Sequence, residues 1–269
     1  MMNYTILIHT HSDYSYLWPI INDYTKKYKF NKVLAYDKIP KGAILPDCFD
    51  KYIKYDSSLL FTDRLVPILQ QLHEEYVFII YDVDIIINID EDALQTYIEI
   101  MKEDNIDRLN IAVFDGFSQK YCKKNIWGLC DLNSILKQKS NHFIPIDCNP
   151  TIWNRLSFIN LLKQFPNNKY NSFDSNLDII NHCKTKLKCY GIQYTPNLKL
   201  LYNRGLTYCN KLSFLHLTVK GKFLIPFSSY HDYENELYEI ISKYNLDVNK
   251  IGTEEATHGC LYFDKLTIN

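Results

Sequence analysis

The sequence predicts an α/β protein with a mainly parallel sheet and helices on both faces. Three observations lead there. YTILIH (residues 4–9), KVLAY (32–36) and EYVFIIY (75–81) are short, continuous apolar runs, the pattern of strands buried on both faces. Between them lie stretches of helical periodicity, so that the first 90 residues alternate as β-α-β-β-α-β. Finally, 269 residues with 46% hydrophobic and 23% charged side chains can bury a full core in the manner of a globular protein.

The elements follow in order. After the strand at 4–9, His9-Thr10-His11-Ser12-Asp13 is a polar turn. A helix of about 15 residues is expected from Ser15, with Leu17, Trp18, Ile21 and Tyr24 on one face. Lys32–Tyr36 is a second strand, IPKGAILPDC a loop with two prolines and a glycine, and Tyr52–Tyr55 a short strand. Thr62 opens a helix, with Thr62 or Asp63 as its cap and Leu65, Ile68, Leu69 and Leu72 at helical spacing. The central strand comes next, and then a helix over 91–103. Asp90-Glu91-Asp92 reads as its ordinary acidic start. Leu109–Phe114 is a strand, Asp115-Gly116 a turn, Ile126–Leu129 a short strand or loop, and His142–Ile146 extended up to Asn149-Pro150. Ile152–Gln164 and Phe173–Lys184 read as helices, and Leu198–Tyr202 and Phe214–Val219 as strands. Tyr233–Tyr244 is an amphipathic helix with Leu237, Ile240, Ile241 and Tyr244 on one face. The pattern loses regularity near residue 115. The expected organisation is therefore a nucleotide-binding half (1–115), a mixed half (116–232) and a C-terminal helix and tail (233–269), all within one compact domain.

The central strand runs straight into Tyr81-Asp82-Val83-Asp84. Unpaired carboxylates are too costly to bury without a counter-charge. Either the strand has left the core by Asp82, or a cation sits against the pair. Open α/β sheets collect ligands at the carboxyl ends of their strands, and hard divalent cations prefer carboxylate oxygens. Asp82 and Asp84 are thus candidate ligands for Mg²⁺ or Mn²⁺ holding a diphosphate. There is no G-x-G-x-x-G and no P-loop, so metal and side chains would have to hold any phosphate.

Net charge is −1, which points to no nucleic-acid partner and no anionic membrane. No segment has the apolar length to span a bilayer, and MMNYTILIHTHSD lacks a basic leader region. The eight cysteines include no C-x-x-C pair, so free thiols in a cytoplasm are expected rather than a zinc site.

Taken together, YTILIHTHSDYSYLW, FTDRLVPILQQLHEEYVFIIYDVDIII, NPTIWNR, FDSNLD and HLTVKGKF form an ordered set spanning residues 4 to 223. This set resembles GT-A-fold glycosyltransferases of the type found in bacterial surface-polysaccharide clusters and large DNA viruses. Phe223 stands where that pattern usually has Trp, and Asp174 where it has Glu. The resemblance implies a GT-A-like sheet: a Rossmann-like nucleotide-binding half joined to a mixed acceptor-binding half. It implies metal-dependent transfer from a nucleotide sugar, with UDP the expected nucleotide, to a glycan, glycolipid or glycoprotein, in the cytoplasm (the host's, if viral). In it Asp82, Asp84 and His216 hold Mn²⁺ or Mg²⁺, and Lys222 faces the diphosphate. Asp13 and Arg64 match positions near the nucleotide, while His11, Ser12 and Tyr36 sit at strand ends where a uracil or ribose could lie. Asp174 matches the aromatic-acid pair and would be the base of an inverting transfer, with Asp178 one helical turn on as its alternative. Trp153 would stack on an acceptor sugar.

Plain structural roles compete with each assignment. His216 could be a strand histidine, Lys222 a solvated lysine, Asp174 a helix cap, Trp153 a core residue, and Arg64 half of an ion pair on its own helix. Two other functions fit the same strand end. One is a haloacid-dehalogenase-type phosphohydrolase, although its D-x-D normally follows the first strand. The other is a non-catalytic nucleotide-sugar-binding module.

Overall fold

A computed structural model describes residues 3–114, 129–131, 150–173, 175–193, 200–203, 206–225 and 227–255. Strand β1 (Tyr4–His9) is followed by a 3₁₀ segment and helix α1 (Trp18–Thr25), then β2 (Lys32–Tyr36), β3 (Lys51–Lys54), α2 (Phe61–Gln70), β4 (Tyr76–Tyr81), β5 (Asp84–Ile89), α3 (Glu91–Glu103) and β6 (Arg108–Phe114). Beyond these come β7 (Leu129–Asp131), β8 (Thr151–Asn154), α4 (Arg155–Gln164), α5 (Tyr170–Phe173), α6 (Leu177–Lys186) and β9 (Cys189–Gln193). The chain continues through β10 (Leu200–Asn203), β11 (Leu206–Cys209), β12 (Leu212–His216), β13 (Phe223–Ile225), α7 (Glu234–Lys243), α8 (Val248–Ile251) and β14 (Thr253–Glu255).

An eight-stranded sheet, ordered β3-β2-β1-β4-β8-β6-β9-β7, forms the centre. β3, β2, β1 and β4 are parallel, as are β6 and β9, while β8 lies antiparallel between β4 and β6. Alternate residues of β4 serve opposite faces. Tyr76, Phe78 and Ile80 pack with α1, α3 and the smaller sheet, whereas Val77, Ile79 and Tyr81 pack with α2, α4 and α6. The continuous apolar run is therefore a strand covered on both sides, the expected mainly parallel α/β architecture. A second, antiparallel sheet (β10-β11-β12-β5) draws β5 from the first half of the chain and its other strands from the second. β8 and β9, which follow residue 115, complete the same sheet as β1–β4. α7 buries Leu237 and Ile240, and its end is tied to α1 where Lys243 and Tyr244 donate to Asp23.

Several local expectations are corrected. The helix expected from Ser15 is a 3₁₀ segment (Ser12–Leu17) followed by an eight-residue α1. Pro19 has no N–H to give the Ser15 carbonyl, which accepts from Trp18 N instead, so Pro19 is disfavoured in a helix interior and suits the first turn it occupies. Ile152–Asn154 is strand, not helix: β8 supplies the ladder between β4 and β6, and α4 begins only at Arg155, capped by Asn154, which accepts from Ser157 N at 3.1 Å. The single helix expected over 173–184 is two, and the second is capped by Asn176. Neither Thr62 nor Asp63 caps α2. Thr62 Oγ1 accepts from Asn168 N (3.0 Å) and Asp63 from Asn167 N (3.1 Å), tying α2 to the segment before α5. Asp90 does cap α3, accepting from Ala93 N. Residues 126–128, 142–146 and 149, and the Asp115-Gly116 turn, lie outside the described residues.

Candidate active site

Parallel pairing of β1 with β4 aligns His9 with Tyr81, so the chains leaving the two strands run side by side. Thr10 Oγ1 and the His11 N–H both donate to Asp82 Oδ2, at 2.9 and 2.8 Å, and Asp82 N donates to the His9 carbonyl. Trp18 Nε1 donates to Thr10 Oγ1 at 2.8 Å, which leaves the Thr10 proton for Asp82. Tyr55 OH holds the Thr10 carbonyl. One strand over, Asp37 follows β2 and accepts from Ser12 N (2.8 Å) and Ser12 Oγ (3.0 Å). His11 Nε2 lies 3.3 Å from Asp37, and its Nδ1 accepts from Asp13 N.

Asp84 opens β5, which pairs with β12. The register shifts by one residue between Ser213 and Phe214, and beyond that bulge His216 faces Asp84. Without the shift it would face Ile85, on the other side of the sheet. His216 Nδ1 sits 2.7 Å from Asp84 Oδ1.

Both carboxylates of the D-V-D are buried, with Asp82 7% and Asp84 3% exposed, so the chain has not left the core at this point. Burial pushes the Asp82 carboxyl up to about 7; the His11 and Thr10 bonds pull against this, and Asp84 adds to it. Asp37 behaves oppositely. Burial opposes its charge too, but bonds from the Lys38 and Ser12 N–H groups and the Ser12 hydroxyl outweigh it and hold the carboxyl low. Asp84 Oδ2 is buried with no hydrogen-bond partner. Among the described residues no three His, Cys, Asp or Glu side chains form a ready-made metal cage. A magnesium-type cation does not require one, because one or two carboxylates plus substrate phosphates suffice. The carboxylates of Asp82 and Asp84, the latter with its Oδ2 orphaned, are the hard oxygen donors that Mg²⁺ or Mn²⁺ prefers, and the His216 imidazole lies against Asp84 beside them.

The other predicted residues are placed as follows. Asp13 is exposed at the mouth, its side chain 3.4 Å from His11 Nδ1. Tyr36 ends β2, half-buried, and its carbonyl accepts from Tyr55 N. Arg64 pairs with no carboxylate among the described residues. Its guanidinium lies over the rings of Tyr55 (5.4 Å) and Phe61 (5.7 Å), and its Nε is buried without a partner. Lys222 is exposed and lays its stem along Gly252. Its neighbour Gly221, in the tight 219–222 turn, faces Tyr14: a Cβ added there would meet the Tyr14 ring at 3.9 Å. Tyr14 lies in the field of both Asp82 and Asp13. Trp153 is a core residue, 3% exposed, stacked on Phe158 at 4.4 Å with Arg108 over its ring. It has no free face for a sugar. Asp178 is exposed on the first turn of α6. Asp174 lies outside the described residues, but Phe173 before it is buried against Phe61 and Phe158.

Thr10, Asp37 and Tyr55 were not singled out by sequence. A lone Asp after an ordinary strand carries no spacing signal; only the β2–β1 pairing brings Asp37 to Ser12 and His11. It also lines an open cleft of about 420 Å³ with Lys54, Tyr55, Asp56 and Ser57. The phosphohydrolase reading needs a carboxylate at the end of the first strand, and β1 ends on His9 and Thr10.

No family model matches the chain, and no curated protein does. Solved structures similar to it include S. aureus TarS 1–349 in complex with UDP-GlcNAc (13% identity, 92% of this chain and 69% of that one, TM-score 0.43). Others are the bifunctional IspDF from Campylobacter jejuni (12%, 72% and 50%, 0.42) and a cytidylyltransferase from Leptospira borgpetersenii serovar Hardjo-bovis (11%, 91% and 96%, 0.43). The chain thus spans about two thirds of the TarS fragment and half of IspDF. Scores this low carry no argument about activity, which has to rest on the geometry of the site.

Proposed function

We propose that this chain is a metal-dependent glycosyltransferase, moving a hexosyl or deoxyhexosyl group from a nucleoside-diphosphate sugar to a hydroxyl acceptor with inversion. UDP is the nucleotide we expect, and a glycan, glycolipid or glycoprotein the acceptor. One observation carries the reading: two buried carboxylates at the carboxyl end of the central strand, one with an orphaned oxygen and an imidazole against it. Mn²⁺ or Mg²⁺ held by Asp82, Asp84 and His216 would, when bound, offset the negative charge that grows on the departing diphosphate.

The chain's own groups do the rest. Thr10 and the His11 N–H fix Asp82, and Trp18 fixes Thr10. Asp84 orients His216. Arg64, stacked but not ion-paired among the described residues, is a cation available to the nucleotide, and Lys222 would face the diphosphate. Asp37 offers acceptor oxygens to a base or ribose at its cleft. Asp174 takes the proton of the acceptor hydroxyl as that oxygen bonds to the anomeric carbon, whose bond to the diphosphate breaks with its electron pair going to the diphosphate. Asp178 is the alternative base.

Thermal shift with UDP and UDP-sugars, in Mn²⁺, Mg²⁺ or chelator, tests this. A rise in Tm that needs the cation and vanishes in Asp82→Asn and Asp84→Asn is expected. A UDP response indifferent to chelator and to both substitutions would overturn it. A response only to vanadate would favour the phosphohydrolase.

A further inference from the structure

The loop from β2 to β3 leaves the sheet one residue beyond Asp37 and presents an unusual surface. Ile44 is 84% exposed, the highest value for a large apolar side chain among the described residues, and Ile39 is 51% exposed. Between them Ala43 N donates to the Pro40 carbonyl (3.0 Å), with Gly42 at φ 83°. This is a type II turn whose third position suits glycine. A Cβ added at Gly42 would meet nothing within 4 Å, so the outer edge of the turn faces open space, while Ala43 and Leu45 pack inward against the core.

The base of the loop, in contrast, is pinned. Asn22 Oδ1 accepts from Asp47 N and Cys48 N, and Tyr52 OH donates to the Pro46 carbonyl. Lys38 and Lys41 are exposed on the same segment. Residues 38–46 contain no acid, and no ion pair among the described residues engages either lysine. β2 and β3 are parallel neighbours, so the loop after β3, with Leu59 42% exposed, leaves the same end of the sheet. That end also carries Asp37 and Asp82.

From this arrangement we infer that the 38–46 loop docks the protein on an anionic lipid bilayer. An exposed loop with two isoleucines straddling a basic turn suits the headgroup boundary: the apolar side chains enter the acyl region and the ammonium groups meet lipid phosphates. The net charge of −1 conceals this local basic tip. The inference does not rest on the proposed reaction, because vesicle binding is read without nucleotide or metal, and either idea can fail alone. Where both hold, the acceptor is lipid-linked and the site faces it from the bilayer surface.

Sedimentation of the full chain with phosphatidylcholine vesicles, with and without phosphatidylglycerol, tests the inference. Binding only to the anionic vesicles, weakened by high salt, is expected. Lys38→Ala and Lys41→Ala should each weaken it about fivefold, and Ile39→Ser or Ile44→Ser about tenfold or more. Tm should not move in any of the four, since all are exposed. Absence of binding by the wild type, or undiminished binding by a variant that combines all four substitutions, overturns the inference. So does a concentration-dependent dimer that Ile44→Ser dissolves, which would make a second copy of this chain the occupant.

Discussion

Replacing Asp82 with asparagine should stabilise the ligand-free protein while abolishing its cation-linked response to nucleotide. Asp82 is 7% exposed, and burial lifts its carboxyl from 3.8 to about 7. At 1.36 kcal/mol for each pH unit of displacement, holding it ionised above pH 7 costs about 4 kcal/mol. The hydrogen bonds from Thr10 and His11 both end on Oδ2, so an asparagine oxygen can accept these two unchanged. With a folded value above the unfolded one, the native state binds the extra proton. The favourable contribution of Asp82 is present below pH 3.8 and is lost as pH rises through 7. The advantage of the variant is therefore absent in acid, grows across that window and levels off above it. Allowing for relaxation of the site, it should reach roughly 2–4 kcal/mol, or a Tm gain of roughly 5–12 °C for a chain of this size. Urea melts of both proteins from pH 4 to 8.5, with and without UDP and Mn²⁺, measure it. An Asp82→Asn protein less stable than wild type at pH 8, or a difference independent of pH, would refute the reasoning. The carboxylate would then be a compensated structural group.

Other expectations follow from the same geometry. His216→Ala should act with the opposite sign in the ligand-free protein, lowering stability by about 1–3 kcal/mol because it strips the buried Asp84 carboxylate of the one hydrogen-bonded side chain it has among the described residues; chemical denaturation reads this, and cation-dependent UDP binding should fall as well. His9 is buried, 4% exposed, and stacked on Tyr55 at 4.8 Å; burial, then Arg64 and His11, push its imidazole down to about 3. Its folded value is depressed, so its contribution is intact above pH 6.5 and declines as pH falls toward 3. Between pH 6.5 and 5 the wild type should lose up to about 2 kcal/mol through this group, a slope that His9→Gln should flatten in urea melts. Trp153→Ala should cost about 3–5 kcal/mol as a core truncation, whereas an acceptor-stacking role would instead raise the acceptor KM with Tm intact.

Part of the site was legible because its signals are local. The run YVFIIY has to be buried in any fold this chain adopts, and an acidic triplet directly after it marks either a surface or a cation. Asp90 before a periodic stretch announces a cap, and Pro19 suits a first helical turn better than an interior. Residues 151–154 show the limit of such reading. TIWN fits a strand as readily as the start of the amphipathic helix that follows it, and the choice was made by β4 and β6, which leave a gap that β8 fills.

What the sequence determined by itself was the strand-helix rhythm, the doubly covered central strand and the carboxylates at its end. Those follow from how apolar residues recur over a few positions, which is all a single chain displays. The tertiary structure decided which strands are neighbours. It brought Asp37 to Ser12 and His11, withdrew Trp153 into the core, and used a one-residue bulge to set His216 against Asp84 across 132 residues of sequence. No periodicity encodes that last pairing. Slipping the register by one residue leaves the composition of both strands unchanged and turns the histidine to the opposite face, and only the summed packing of the two strands selects between these outcomes.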